Sequence, residues 1–411
     1  MWTRRAFLKA GGLALFAAGA GGGPAFLGRT ALAAARPTFG RRKVLVTVFL
    51  RGAMDGLAAV SPLAGELGGP ALARLRPALG LERGDGLDLG VGFALHPAFS
   101  PLLPLWRDGR LAVVHAVGSP DPTRSHFDAQ DYMESGTPGV KATRSGWLNR
   151  AVGLSGHDAS PFTAVALTGS MPRTLAGSEA ALAVEDLRRF EVDNERLREL
   201  YADAEAGDPL LGRRGGETFE AVEMLSAANL RSYRPAAGAD YPRSPLGSAL
   251  RQVAFLVKAQ VGLEVAFAES GGWDTHVRQG AARGAFARRA DDLARSLAAL
   301  WTDLGEHRSD VVVMTMTEFG RTAAQNGSGG TDHGHASCAF VLGDAVDGGR
   351  VHGRWPGLGR DDLYQGRDLA VATDFRSLFA GVAGAHLGLG PEADGAMFPG
   401  WAGGRLGVMR V

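Results

Sequence analysis

The sequence predicts an α/β fold, with a mostly parallel central sheet and helices on both of its faces. Three observations carry this. Apolar runs of strand length recur along the chain, segments with helical periodicity separate them, and most runs end in a Gly- or Pro-containing turn signal. The runs are near-continuous in aliphatic and β-branched residues rather than alternating, as strands buried on both faces are.

The runs cover residues 43–50, 111–117, 161–168, 261–268, 311–317 and 336–342. Helical periodicity appears at 98–106, 127–135, 185–204, 217–232, 246–260, 281–307 and 374–387, with Asp374 placed to cap the last of these. Two Gly/Pro/Arg-rich stretches, 67–90 and 207–216, read as surface insertions rather than domain boundaries. A single domain over residues 36–411 is therefore expected.

Composition narrows the class. With 45% hydrophobic and 21% charged residues, the 411-residue chain suits a globular protein with a substantial core. A formal net charge of +1 gives no electrostatic case for nucleic acid or an anionic membrane as partner. The 60 glycines follow no three-residue period, which excludes a collagen-like chain. Cys338 is the only cysteine, so no intrachain disulfide can form, and its apolar run makes it a small core residue.

Residues 1–35 read as a targeting segment. Arg4-Arg5 is followed by Ala6, Phe7, Leu8 and Lys9, then by a weakly hydrophobic Gly/Ala run and small-residue cleavage options near Ala33 and Ala35. This resembles a bacterial twin-arginine export signal. It implies passage through the twin-arginine translocase and a periplasmic or extracellular destination. The run is too short and too Gly-rich to cross ~30 Å of hydrocarbon, so no stable membrane span is expected after cleavage.

The chemistry concentrates in the loops beside the strands. Gly271-Gly272-Trp273-Asp274-Thr275-His276 and Thr331-Asp332-His333-Gly334-His335 place carboxylates and imidazoles in Gly-rich segments, the donors that hold a divalent metal by oxygen and nitrogen. Asp55 follows the first strand, Ser125 and His126 follow the second, and Glu318 and Arg321 follow the fifth. Open α/β sheets gather such loops at the carboxyl edge. Candidate metal ligands are Asp55, Asp274, His276, Glu318, Asp332, His333 and His335. One or two divalent ions fit this set, zinc foremost, with manganese or calcium as alternatives. Ser125 is the candidate nucleophile at a helix start, and Arg124 and Arg321 are candidate clamps for non-bridging anion oxygens.

Together, Phe49 to Gly56, Ser125 to Asp131, Gly272 to His276, Thr317 to Thr322 and Asn326 to Gly334 resemble an uncharacterised exported family, number 1501 among the domains of unknown function. More widely, they resemble the alkaline-phosphatase-like superfamily of phosphatases, sulfatases, phosphodiesterases and phosphoglycerate mutases. That resemblance implies an alkaline-phosphatase-like α/β domain. It also implies that Asp55 and a hydroxyl at Ser125 serve one metal and the chemistry, with Asp274 and His276 on another. The chain departs at Glu318-Phe319, where many superfamily members carry an Asp-His pair, and no sulfatase-type cysteine is present. The expected function is an exported, metal-dependent hydrolase of a small-molecule or polymer-borne phosphate or sulfate ester. The alternative is a catalytically degenerate cell-envelope binding or assembly protein on the same scaffold.

Overall fold

The computed structural model describes residues 40–410, apart from 83, 159, 190–223 and 225–229, together with the dipeptide 14–15. The targeting segment apart from 14–15, the insertion at 207–216, the helix expected at 217–232 except 224 and 230–232, and most of that expected at 185–204 lie outside the described residues.

The strands of the central sheet are β1 (Val44–Leu50), β2 (Leu111–Gly118), β3 (Ala164–Ala166), β4 (Leu182–Ala183), β5 (Val265–Ser270), β6 (Val311–Met316), β7 (Ser337–Leu342), β8 (Val351–His352) and β9 (Thr373–Asp374). Their order is β4-β3-β5-β1-β6-β7-β2-β8, with residues 14–15 beside β4 and β9 also paired to β2. Helices α1 (His126–Ser135), α2 (Trp147–Leu154), α3 (Pro245–Lys258), α4 (Ala285–Leu304) and α5 (Phe375–Leu387) accompany it.

All seven residues of β1 are buried, and they divide by parity between the two sides of the sheet. Val44, Val46, Val48 and Leu50 join a core with Leu250, Val253 and Leu256 of α3 and Leu293, Leu297 and Leu300 of α4. Leu45 and Phe49 face the other way, into a core with Trp147 and Leu148 of α2 and Phe375, Leu378 and Phe379 of α5. The period of two along a strand sends alternate residues to opposite faces. Continuous apolarity is thus what a doubly covered strand requires, and the expected fold class holds.

The strands β3, β4, β5, β1 and β6 pair in parallel. Residues 14–15 pair antiparallel with β4, and β7 is antiparallel to both β6 and β2. This reversal positions the site. A parallel β7 would begin at the edge opposite the carboxyl ends of its neighbours. Running antiparallel, it begins at that carboxyl edge, so residues 331–335 arrive beside the loops that follow β1, β2, β5 and β6. Among the described residues, no helix is long and apolar enough to cross a membrane.

Candidate metal centre

Three imidazoles converge at the carboxyl edge. His126 is the first residue of α1, directly after Ser125, whose hydroxyl accepts from the N–H of Asp128 as N-cap. His276 stands in the loop after β5, and His333 in the loop before β7. The Nε2 of His333 lies 3.0 Å from Nε2 of His126 and 2.9 Å from Nε2 of His276. The carboxylate of Asp274 closes the group, with Oδ1 3.0 Å from Nε2 of His276 and 3.4 Å from Nε2 of His333, and Oδ2 3.6 Å from Nε2 of His126.

The far side of each ring decides what the near side offers. The Nδ1–H of His126 donates to Glu318 Oε1 at 2.8 Å, that of His276 to Asp332 Oδ1 at 3.0 Å, and that of His333 to the carbonyl of Arg124 at 2.8 Å. A carboxylate or carbonyl can only accept, so each neutral ring carries its proton on Nδ1. Three Nε2 lone pairs then point at one another and at a carboxylate. Such an arrangement repels itself unless protons or a cation lie between. His126, Asp274 and His333 each present a donor atom within 4.8 Å of the others. These two nitrogens and a carboxylate oxygen, with His276 alongside at 2.9 Å from His333 and each ring backed by an acceptor, fit the donor set and outer shell of a zinc-type ion.

Glu318 is fully buried and serves as a support. Its Oε1 accepts from the backbone N–H of Gly52 at 2.9 Å and from Gln130 Nε2 at 2.9 Å as well as from His126. Burial alone would raise its pKa, but the hydrogen bonds from His126, Gln130 and the backbone outweigh this and hold it below the ordinary range. The bond to Glu318 in turn raises His126, whereas burial lowers His333. Phe319, also buried, packs its ring against His126 and His333, with centroids 4.9 and 5.0 Å away. The Glu-Phe pair therefore orients two rings of the centre.

Gly52 makes this fit possible. Its φ of +113° favours glycine, and a Cβ there would lie 2.5 Å from the backbone nitrogen of Asp274. The carboxylate of Asp274 is held from below by Arg321, whose Nη1 donates to Oδ1 at 2.7 Å. Burial pushes Asp274 up, and the bond and charge of Arg321 bring it below its usual value. Asp332 is held low by hydrogen bonds from Asn326 and His276.

Of the sequence candidates, Asp274, His276 and His333 meet at the centre. Glu318 and Asp332 back two of its rings, and Arg321 anchors its carboxylate. Asp55 lies elsewhere. It caps the turn Gly56–Ala59, and its Oδ2 accepts from Arg76 Nη1 at 2.8 Å and Gln279 Nε2 at 2.7 Å. A buried guanidinium thus neutralises the carboxylate expected to hold a metal. His335 also stands apart, donating from Nε2 to the carbonyl of Ser119 and packing on Tyr364. The guanidinium of Arg124 is engaged by Asp368 and Gln365 rather than turned to the centre, which receives only its backbone carbonyl.

The sequence candidates omitted His126, although it adjoins Ser125. Its position at a helix start after a strand was the available signal. Gln130, Gln279 and Arg76 carried no sequence signal, because their roles exist only through partners distant in the chain.

These features define an α/β protein with a His/Asp centre at the carboxyl edge of its sheet. The chain belongs to the family described as Protein of unknown function (DUF1501), whose model matches residues 112–396. Among solved structures it is similar to the lipoteichoic acid synthase LtaP from Listeria monocytogenes, at 10% identity and a TM-score of 0.33, over 77% of this chain and 67% of that one. It is also similar to the PsFucS1 sulfatase from Pseudoalteromonas sp., at 13% identity and a TM-score of 0.34, over 76% of this chain and 64% of that one. The chain spans about two thirds of the length of either structure. No curated protein matches it.

Proposed function

We infer that the chain is an exported, metal-dependent hydrolase of a phosphate or sulfate ester. The observation that carries this reading is the set of three imidazoles whose Nδ1 atoms are all tied to acceptors while their Nε2 atoms converge on Asp274. When bound, a divalent ion supplies Lewis-acid polarisation of an ester oxygen and a lowered pKa for attacking water.

The protein's own residues do the rest. His126, His333 and Asp274 would hold the ion, with His276 beside them as a further donor. Glu318, Asp332 and the Arg124 carbonyl fix ring orientation and tautomer, and Arg321 fixes the carboxylate. Asp274 and His276 have about two fifths of their side chains exposed, which leaves the centre open to a substrate. Ser125 is the candidate hydroxyl nucleophile. It adjoins a ligand, and its capping bond to Asp128 is long at 3.5 Å. Glu318 and Phe319, where the chain departs from the superfamily's Asp-His pair, both pack onto rings of the centre, which supports the hydrolase reading over a degenerate binding protein. The paired arginines Arg4-Arg5 and the Gly/Ala run after them support export.

The test is elemental mass spectrometry on chain purified without chelator, followed by hydrolysis of aryl phosphate and aryl sulfate. One divalent ion per chain and a turnover that chelation and His333→Ala abolish are expected. A chain that takes up no zinc, manganese or calcium overturns the reading.

A further inference from the structure

The loop that carries Asp274 and His276 runs on into a group of arginines. Arg278, Arg283, Arg288 and Arg289 are all exposed, and none forms an ion pair among the described residues. Two carboxylates of α4 are committed elsewhere, Asp291 to Arg295 and Asp303 to Lys258, and Asp292 lies beyond ion-pair distance of Arg288. Four unpaired guanidiniums in one short segment stand out in a chain of net charge +1.

Their placement is specific. Arg278 is two residues beyond His276. The guanidinium of Arg289 lies against Gly272, two residues before Asp274. A Cβ on Gly272 would come within 2.7 Å of its Nε and Nη2, and the glycine's φ is +86°. With Cα atoms 3.80 Å apart, the Arg289 guanidinium is at most about 12 Å from the Cα of Asp274. Yet none of the four reaches the centre, where the arginine bonded to Asp274 is Arg321. The Arg289 guanidinium and Arg278, two residues from His276, thus flank the centre without pairing with its carboxylate.

We propose that these arginines form the docking rim for a linear polyanion, so that the ester at the centre is one unit of a chain bearing repeated phosphate or sulfate groups. This rests on the hydrolase reading above and narrows its substrate class from any anionic ester to a polymer-borne one. Guanidiniums suit the task because they bind phosphate and sulfate oxygens with two parallel hydrogen bonds. Several such contacts along one ligand raise its affinity over that of a single unit, and the gain is screened by salt.

The experiment uses zinc-loaded full chain and measures binding of heparin, long-chain inorganic polyphosphate, orthophosphate and sulfate by calorimetry at low and high salt. The heparin and polyphosphate arms distinguish sulfated from phosphorylated polymers. At least one polymer is expected to bind tenfold or more tightly, per unit, than its monomeric anion. The double variant Arg278→Glu/Arg289→Glu should lose that advantage while keeping its metal and its melting temperature. The control Arg354→Glu/Arg360→Glu, also at exposed arginines, should keep it. Polymers that bind no better than monomers overturn the proposal, as does an equal loss in the control variant. A wild-type chain that takes up no metal but binds polymer through Arg278 and Arg289 sinks the hydrolase reading and leaves the rim standing.

Discussion

His126 and Glu318 are separated by 192 residues, and the Nδ1–H of the first donates to Oε1 of the second at 2.8 Å. The buried carboxylate fixes the tautomer of the ring and turns its bare Nε2 toward His333 and Asp274. Replacing it by a neutral isostere, Glu318→Gln, keeps an acceptor for His126 but removes the charge that makes the ring a strong donor. Zinc affinity should fall roughly 10–100-fold, as for other outer-shell partners. Competition with a chromogenic chelator measures this, and unchanged affinity would show that Glu318 has no part in tuning the ring.

The geometry separates two histidines that look alike in sequence. His126→Ala removes one of the converging nitrogens and should abolish tight metal retention. His335→Gln replaces a ring engaged with Ser119 and Tyr364 and should retain a full complement. Metal content of the two purified variants, side by side, decides the matter. Equal retention would place the ion elsewhere.

Binding to the folded chain alone stabilises it by mass action. Zinc at a hundred times its dissociation constant should add about 2.7 kcal/mol, seen as a raised melting temperature that chelation reverses. The His333→Ala variant should show no such rise. A rise that survives this substitution would mean the stabilising ion is held at another position.

Asp55 and Arg76 form a buried pair, completed by Gln279 and by the carbonyls of Thr322 and Ala323. Removing one partner leaves an uncompensated buried charge. Arg76→Met should therefore cost roughly 3–5 kcal/mol in denaturant unfolding. A cost below about 1 kcal/mol would show that water reaches the site.

Two core histidines predict acid sensitivity. Burial lowers both His115 and His386 to about 4. His115 donates from Nε2 to the carbonyl of Val60 and accepts on Nδ1 from the N–H of Ala116, so its neutral form is the one the fold uses. Between about 4 and the unfolded value near 6.5, the unfolded chain binds more protons. Stability from these groups is thus complete above about 6.5 and is lost as pH falls toward 4, by on the order of 3 kcal/mol for each. Urea unfolding between pH 7.5 and 4.5 should show the decline, and His115→Gln should reduce it. A decline unaltered by that substitution would assign it to other groups.

Much of the layered architecture was legible because strand burial leaves a local record. The runs at 43–50, 111–117 and 311–317 are apolar on both faces, and that continuity needs no knowledge of partners. The pairs Asp274/His276 and Asp332/His333 were legible for a similar reason, since dense donors in Gly-rich loops stand out within a few residues. The short strands Leu182–Ala183 and Thr373–Asp374 left no such trace, because two residues are too few to show a period. Helix α2 was also missed, lying between loop signals.

Roles, in contrast with residue types, were settled by distance in space. Asp55 looked like a ligand because it follows the first strand, and Glu318 looked like a ligand whose partner imidazole was replaced by Phe319. Only folding brings Arg76 onto the first and His126 onto the second. The sequence by itself determined the doubly covered α/β layering and the clustering of imidazoles and carboxylates in a few loops, because both are written in neighbouring residues. The tertiary structure decided the direction of β7, and with it which loops meet. It also decided which carboxylate neutralises a guanidinium and which orients a ring. Those outcomes depend on hydrogen bonds between residues tens to hundreds of positions apart, about which local pattern carries no information.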